Sequence, residues 1–265
     1  MQIYVSGSLA YDRIMNFDGR FSDHILPDKI HVLNVCFNVN GLQEKLGGTA
    51  GNIAYGLAQL GENPTVLASL GRDGGRYLEW MKRHGIGVEC VRQVDQEFTA
   101  GAYITTDQSD NQITGFNPGA MKHSCCFEPG GLDPKNSLAI VAPGNLEDLT
   151  ELPPRFNALG VPFIFDPGQS LNILSGPQLK GSITGALALI SNDYELELIT
   201  RKTGLDLERL LGLAGAVITT KGDQGSLLQR PGGQVFIPVV PASQVKDPTG
   251  AGDAYRAGLL KGLAQ

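Results

Sequence analysis

Residues 247–264 read DPTGAGDAYRAGLLKGLA. The part after Asp253 has a helical pattern, with Ala254, Leu259, Leu260 and Leu263 as its apolar positions, so Gly250 and Gly252 fall at a helix N-terminus. Glycines there let the backbone N–H groups of Gly250, Ala251, Gly252 and Asp253 converge on one point, where the helix dipole also favours negative charge. This is an anion hole suited to a phosphoryl group in flight, with Asp253 beside it to receive a proton. A carboxylate at a helix N-terminus is expected to stay ionised and to be a weak ground-state base, which suits a loose phosphoryl-transfer transition state. A lone GxGD is most simply a tight turn and a helix cap; Pro248 and Thr249 in the same run argue against so bland a reading. The chain has no GxxxxGK[ST] and no GxGxxG after its first strand, which speaks against P-loop and dinucleotide sites.

Upstream of this turn, short apolar runs alternate with helical stretches. Ile3–Gly7, Thr65–Gly71, Leu138–Pro143, Pro162–Asp166, Leu187–Asn192 and Ala216–Thr220 read as strands. Several are apolar on both faces, as in a sheet covered by helices on both sides. Thr49–Leu60, Arg76–His84, Leu146–Leu159, Asp193–Thr200 and Leu205–Leu213 read as helices. The alternation predicts an α/β fold, a three-layer sandwich with a mostly parallel central sheet. Two segments break the rhythm, about 11–40 and 98–117. They read as extended, without helix, and fit a small β-sheet lid, although two surface loops fit the pattern as well. SLLQRPGGQVFIPVV (226–240) reads as a hairpin through Pro231-Gly232-Gly233. Without a repeat or low-complexity linker, residues 1–265 are read as one domain with a lid.

Hydrophobic residues make up 42% and charged residues 18% of the 265, as in a globular protein with a sizeable core. The net charge of −6 gives no footprint for nucleic acid. No apolar run approaches a membrane span, and the N-terminus enters a strand directly with no leader pattern. Cys36, Cys90, Cys125 and Cys126 lack CxxC spacing, so reduced thiols in the cytoplasm are expected.

DPTGAGDAYRAG resembles the C-terminal signature of the ribokinase-like (PfkB) family of carbohydrate and nucleoside kinases. Three further stretches, in the family's order, are similar to its motifs: GGTAGNIA at 47–54, Asn192-Asp193-Tyr194-Glu195 to its NxxE, and Thr220-Lys221-Gly222 with Gly225 to its nucleotide-binding turn. The resemblance implies a kinase that uses ATP and Mg²⁺, with Asp253 as catalytic base and Gly250, Ala251 and Gly252 as its anion hole. It implies acceptor contacts from Ser8, from Asp12 at the end of the first strand, from Gly47, Gly48 and Asn52, and from Phe116 as an aromatic lid residue. Asn192, Glu195, Thr220, Gly222 and Gly225 are implied on the ATP side, Glu195 holding Mg²⁺ through water. Asp247 is implied near a monovalent cation, K⁺, as in some relatives. From the residues alone, Asp12 is also a turn or cap residue, NDYE a helix start with its cap, and Phe116 a lid-core residue.

Within the family, VSGSLAYDRIMNFDGRFSDHILPDKIH, ITTDQSDNQITGFNPGAM and FDPGQS resemble the bacterial adenosine kinase branch. This implies phosphorylation of a nucleoside 5′-hydroxyl, with adenosine first. Two alternatives stay open: a sugar kinase acting on ribose, fructose or a sugar phosphate, and a non-catalytic ligand-binding protein. The sugar-phosphate version is disfavoured by a reading of the lid strands as free of Lys and Arg. Where relatives carry a second lid phenylalanine, this chain has Ala102 followed by Tyr103. Relatives continue for tens of residues past the GAGD helix, so a chain ending at Gln265 implies weak ATP binding. An exposed lid face is compatible with a homodimer.

Overall fold

A computed structural model describes residues 1–245 and 249–265. A nine-stranded sheet forms its middle layer. Strands β1 (Gln2–Ser6), β4 (Thr65–Gly71), β5 (Val91–Val94), β8 (Ser137–Val141), β9 (Phe163–Phe165), β10 (Ala188–Asn192) and β11 (Val217–Thr220) are mutually parallel, in the order β11-β10-β9-β8-β1-β4-β5. β12 (Ser226–Arg230) and β13 (Gly233–Ile237) extend the β11 edge antiparallel. Their hairpin turns at Pro231-Gly232, where Gly232 takes φ +91°.

Period-two alternation along these strands feeds two cores. Ile3, Val5, Leu138 and Ile140 face one side, under α1 (Thr49–Gln59), α2 (Gly75–Arg83) and α7 (Ala251–Ala264). Ala139, Val141, Phe163 and Phe165 face the other, under α3 (Leu146–Leu159), α4 (Gly176–Ile183), α5 (Asp193–Thr203) and α6 (Leu207–Leu213). Both faces are covered, which explains why the strands read as continuous apolar runs. Apolar patterning does not reveal the short β5 or α4, whose sequence GPQLKGSI carries two glycines and a proline. The α7 face also differs from expectation. Arg256, Ala257 and Leu260 are buried, whereas Leu263 is 41% exposed.

A second, four-stranded sheet stands at the carboxyl ends of the parallel strands, in the order β3-β2-β6-β7. It comprises β2 (Ala10–Phe17), β3 (Val39–Gly47), β6 (Ala100–Thr106) and β7 (Gln112–Asn117). The first lid segment therefore runs past position 40, to Gly47. Its middle is not extended, because Phe21–Asp23 and Pro27–Val32 form 3-10 turns. Phe17, Phe21, His24 and Phe37 cluster there, with ring centroids 4.8–5.9 Å apart. Arg13 anchors the lid's back face to the body: Nε donates to Glu44 at 3.0 Å, Nη1 to the Tyr103 hydroxyl at 3.1 Å, and Nη2 to Asp73 at 3.4 Å.

Candidate active site

The turn at 249–253 is where three cavities meet. Gly250 takes φ +77°, a left-handed conformation that glycine adopts without strain, and α7 starts at Ala251. Its first-turn N–H groups lack intrahelical partners and so point at whatever lies before the helix. The central cavity, about 240 Å³, is polar and lined by Thr49, Asp166, Asn192, Glu195, Asp253 and Arg256, among others. A second, about 510 Å³, is an apolar slot between the β13 end and α7, with Ile237, Val239 and Tyr255 on its walls and Gly222 and Gly225 at its mouth. A third, about 620 Å³, opens between lid and body and is lined by Asp12, Ile14, Lys45, Asn52, Ile104 and Gly250, among others.

Helix α1 holds Asp253 in place. It packs so closely on α7 that a Cβ at Gly56 would lie 2.7 Å from that of Ala257. Across this contact Asn52 Nδ2 donates to Asp253 Oδ2 at 2.8 Å. Asn52, expected to touch the acceptor, is placed by this bond against Asp253, the expected base. The electrostatic expectation for Asp253 is corrected as well. Burial raises its pKa above the ordinary carboxylate value, the Asn52 hydrogen bond and the Arg256 charge oppose the rise, and Asp166 adds to it. Half-buried Asp253 is therefore a stronger base than an exposed helix cap.

The double glycine admits the lid. A Cβ at Gly47 would lie 2.6 Å from Asp12 Oδ2, and one at Gly48, φ +91°, would lie 2.5 Å from the Ser8 carbonyl. Ser8 itself is buried, and its hydroxyl accepts from Thr49 N at 3.0 Å, so this side chain fastens β1 to the start of α1. Asp12 does not end the first strand, because the chain turns at Gly7 and Asp12 is the third residue of β2. Register places Asp12 directly between Lys45 on β3 and Ala102 on β6, with Phe116 of β7 opposite Ala102. Residues in one such row share a face, so Phe116 stands on the same face of the lid as Asp12, 53% exposed. The reading of the lid as free of Lys and Arg is wrong: Arg13 is spent on Glu44 and Asp73, but Lys45 lines the cavity between lid and body. Burial raises the pKa of Asp12 and Lys45 opposes the rise.

Of the residues expected on the ATP side, Asn192 and Glu195 form a reciprocal capping box. Glu195 N donates to Asn192 Oδ1 at 2.7 Å, and Asn192 N to Glu195 Oε2 at 2.8 Å. NDYE is thus the helix start with its cap that the residues alone suggest, and Asn192 and Glu195 also line the polar cavity. Thr220 Oγ1 donates to the Ser191 carbonyl at 3.4 Å and lines both the apolar slot and the polar cavity. Gly225, φ +113°, lies so near β13 that a Cβ would come within 2.2 Å of the Ile237 carbonyl. Asp247, expected near a monovalent cation, lies outside the described residues. Sequence reading missed Asp166 and Arg256, which form a buried ion pair in the polar cavity, Nε to Oδ2 2.6 Å. The signal for Arg256 was a lone charge at the helical spacing of Asp253, Ala257 and Leu260.

The profile of the pfkB family carbohydrate kinases matches residues 22–265. A nucleoside kinase of Methanocaldococcus jannaschii is 32% identical over 236 residues, 86% of this chain and 75% of that protein. The ligand-free nucleoside kinase of Burkholderia thailandensis superposes with a TM-score of 0.88 at 42% identity, covering 99% of this chain and 87% of that one. The same enzyme in complex with ADP-inosine superposes with a TM-score of 0.81 at 42% identity, covering 98% and 82%.

Proposed function

The chain belongs to the PfkB family of carbohydrate kinases, and within it we propose a nucleoside kinase that transfers the γ-phosphoryl group of ATP to the 5′-hydroxyl of a purine nucleoside. The observation that carries this reading is the position of Asp253. It stands at the helix N-terminus between an apolar slot fit for an adenine and a lid-covered cavity fit for an acceptor. The similarity to kinases named for nucleosides, one of them solved with ADP-inosine, supports the acceptor class.

In this reading Asp12 accepts hydrogen bonds from two vicinal ribose hydroxyls, and Phe116 covers the base from the lid. The 5′-oxygen attacks the γ-phosphorus as the bridging P–O bond to ADP breaks, and its proton passes to Asp253. The free N–H groups at the start of α7 stabilise the charge on the equatorial phosphoryl oxygens. Among the described residues no cluster of three or more His, Cys, Asp and Glu side chains is placed to cage a metal. Glu195, which keeps one oxygen outside the capping box, fits Mg²⁺ held through water and phosphate oxygens. Bound Mg²⁺ would neutralise phosphate charge. Adenosine is the first substrate to test and inosine the second. The exposed Leu26, Ile30, Val32 and Leu33 at the lid tip would seat a second copy in a homodimer.

ADP release with ATP and Mg²⁺ tests the proposal, comparing adenosine, inosine, cytidine, ribose and fructose 6-phosphate. Turnover with a purine nucleoside, lost in Asp253→Asn, is expected. Turnover confined to ribose or fructose 6-phosphate overturns the nucleoside reading. The presence of Lys45 in the acceptor cavity makes the sugar-phosphate arm worth including.

A further inference from the structure

Arg256 lies one turn past Asp253 and is 7% exposed. A buried guanidinium is tolerated only when its charge and donors are met. Here Nε donates to Asp166 Oδ2 at 2.6 Å and Nη1 to the carbonyl of Gly252 at 3.1 Å. Asp166, 3% exposed, sits just past β9 near the middle of the parallel sheet, and its other oxygen, Oδ1, has no partner. Buried pairs of this kind add little net stability over apolar side chains of the same size. Their effect is to be sought in the geometry they impose. This pair joins the sheet to the one turn whose N–H groups and carboxylate must converge.

We infer that Arg256 is the positioning residue of the catalytic turn: by gripping Asp166 on the sheet and the Gly252 carbonyl in the turn, it fixes the first turn of α7 so that its N–H groups and the Asp253 carboxylate face the same cavity. The inference rests on the reading of Asp253 as base. Arg256 also sets the field around that base. The groups around Asp253 are Asn52 from α1, Tyr77 from α2, Asp166 from the end of β9, Glu195 from α5 and Arg256 from its own helix. Arg256 is the cation among them, and removing it leaves carboxylates facing Asp253.

Arg256→Lys and Arg256→Met separate position from charge. Turnover against pH is measured on the full chain with ATP and the best nucleoside. In parallel, the Asp253 carboxyl is titrated by ¹³C NMR of aspartate-labelled protein, its signal assigned with Asp253→Asn. Arg256→Lys keeps the charge but not the fork. It should lower kcat about tenfold or more, leave the acceptor KM within about twofold, and leave the acid limb in place. Arg256→Met should lower kcat about 100-fold and move both the acid limb and the Asp253 titration up by about one pH unit. A folded Arg256→Met protein with the parent's kcat and the parent's titration overturns the inference. If that variant does not fold, parental kcat in Arg256→Lys overturns it instead. Absence of turnover in the parent, with the Asp253 titration still displaced in Arg256→Met, removes the kinase reading and leaves the positioning role standing.

Discussion

The two sheets follow opposite rules. In the body, β4, β8 and β9 are buried at every residue. In the lid, β7 is exposed at every residue, and β3 is exposed over its first five. The body strands gain their stability from apolar surface removed from water, whereas β7 and the first half of β3 stay exposed to it. Local devices maintain the lid instead. Arg13 bridges Glu44 and Asp73, the Phe17–Phe21–Phe37 cluster closes the tip, and Asp107 accepts N–H bonds from Phe21, Ser109 and Asn111. Burial acts to raise the pKa of Asp107, but those bonds outweigh it and hold the group at about 2. In the function proposed here, the body carries the catalytic turn and the lid the recognition surface.

That division is open to attack by mutation, and the largest effects fall in the body. Asp253→Asn should cut kcat about 10³-fold while leaving the melting temperature almost unchanged, by steady-state kinetics and calorimetry. A fall in stability to match would mean that the residue is structural. Phe156→Ala, on the buried face of α3, should cost about 3–5 kcal/mol in denaturant unfolding. Phe116→Ala on the lid should leave stability within about 0.5 kcal/mol yet raise the nucleoside KM about three- to tenfold. Equal effects of the two phenylalanines would erase the distinction.

A smaller effect is pH-dependent and confined to the body. Asp148 is pushed up to about 6, chiefly by burial, with the N–H and thiol of Cys125 bonded to its carboxylate in partial compensation. Its folded pKa lies above its unfolded value, so the protonated form is favoured in the native state. Its contribution is full below about pH 4 and is lost as pH rises toward 6, on the order of 2–3 kcal/mol. Unfolding of Asp148→Asn beside the parent, between pH 4 and 7, should show that difference closing on the acid side. The smallest effect belongs to the lid. Asp107→Ala should speed amide exchange at Phe21, Ser109 and Asn111 with little change in global stability.

What could be read in advance divides along the same line. Body strands such as Thr65–Gly71 and helices such as Leu146–Leu159 were legible because burial on both faces writes itself into apolar runs and a helical period. The lid was legible only as a break in that rhythm. Lys45 escaped because the first lid segment was ended at residue 40, whereas β3 runs on to Gly47. Asp12 was placed at the end of the first strand because Gly7–Ala10 read as the close of that strand, whereas the chain turns there and starts β2 at Ala10. At the site, the glycine turn and NDYE were visible as local motifs. The Arg256–Asp166 pair was not, since it joins residues 90 apart in sequence, and only the fold brings a charge in α7 against the end of β9.

In the proposed reaction Asp253 serves transfer from ATP to a nucleoside 5′-oxygen. The most direct test is ³¹P and ¹H NMR of the products formed from ATP with adenosine or inosine. The expected products are ADP and a nucleoside 5′-monophosphate, its phosphorus coupled to the 5′-methylene protons, with neither formed by Asp253→Asn. Phosphate appearing only on a free sugar or a sugar phosphate, or a 5′-monophosphate still formed at the parent rate by Asp253→Asn, would contradict it.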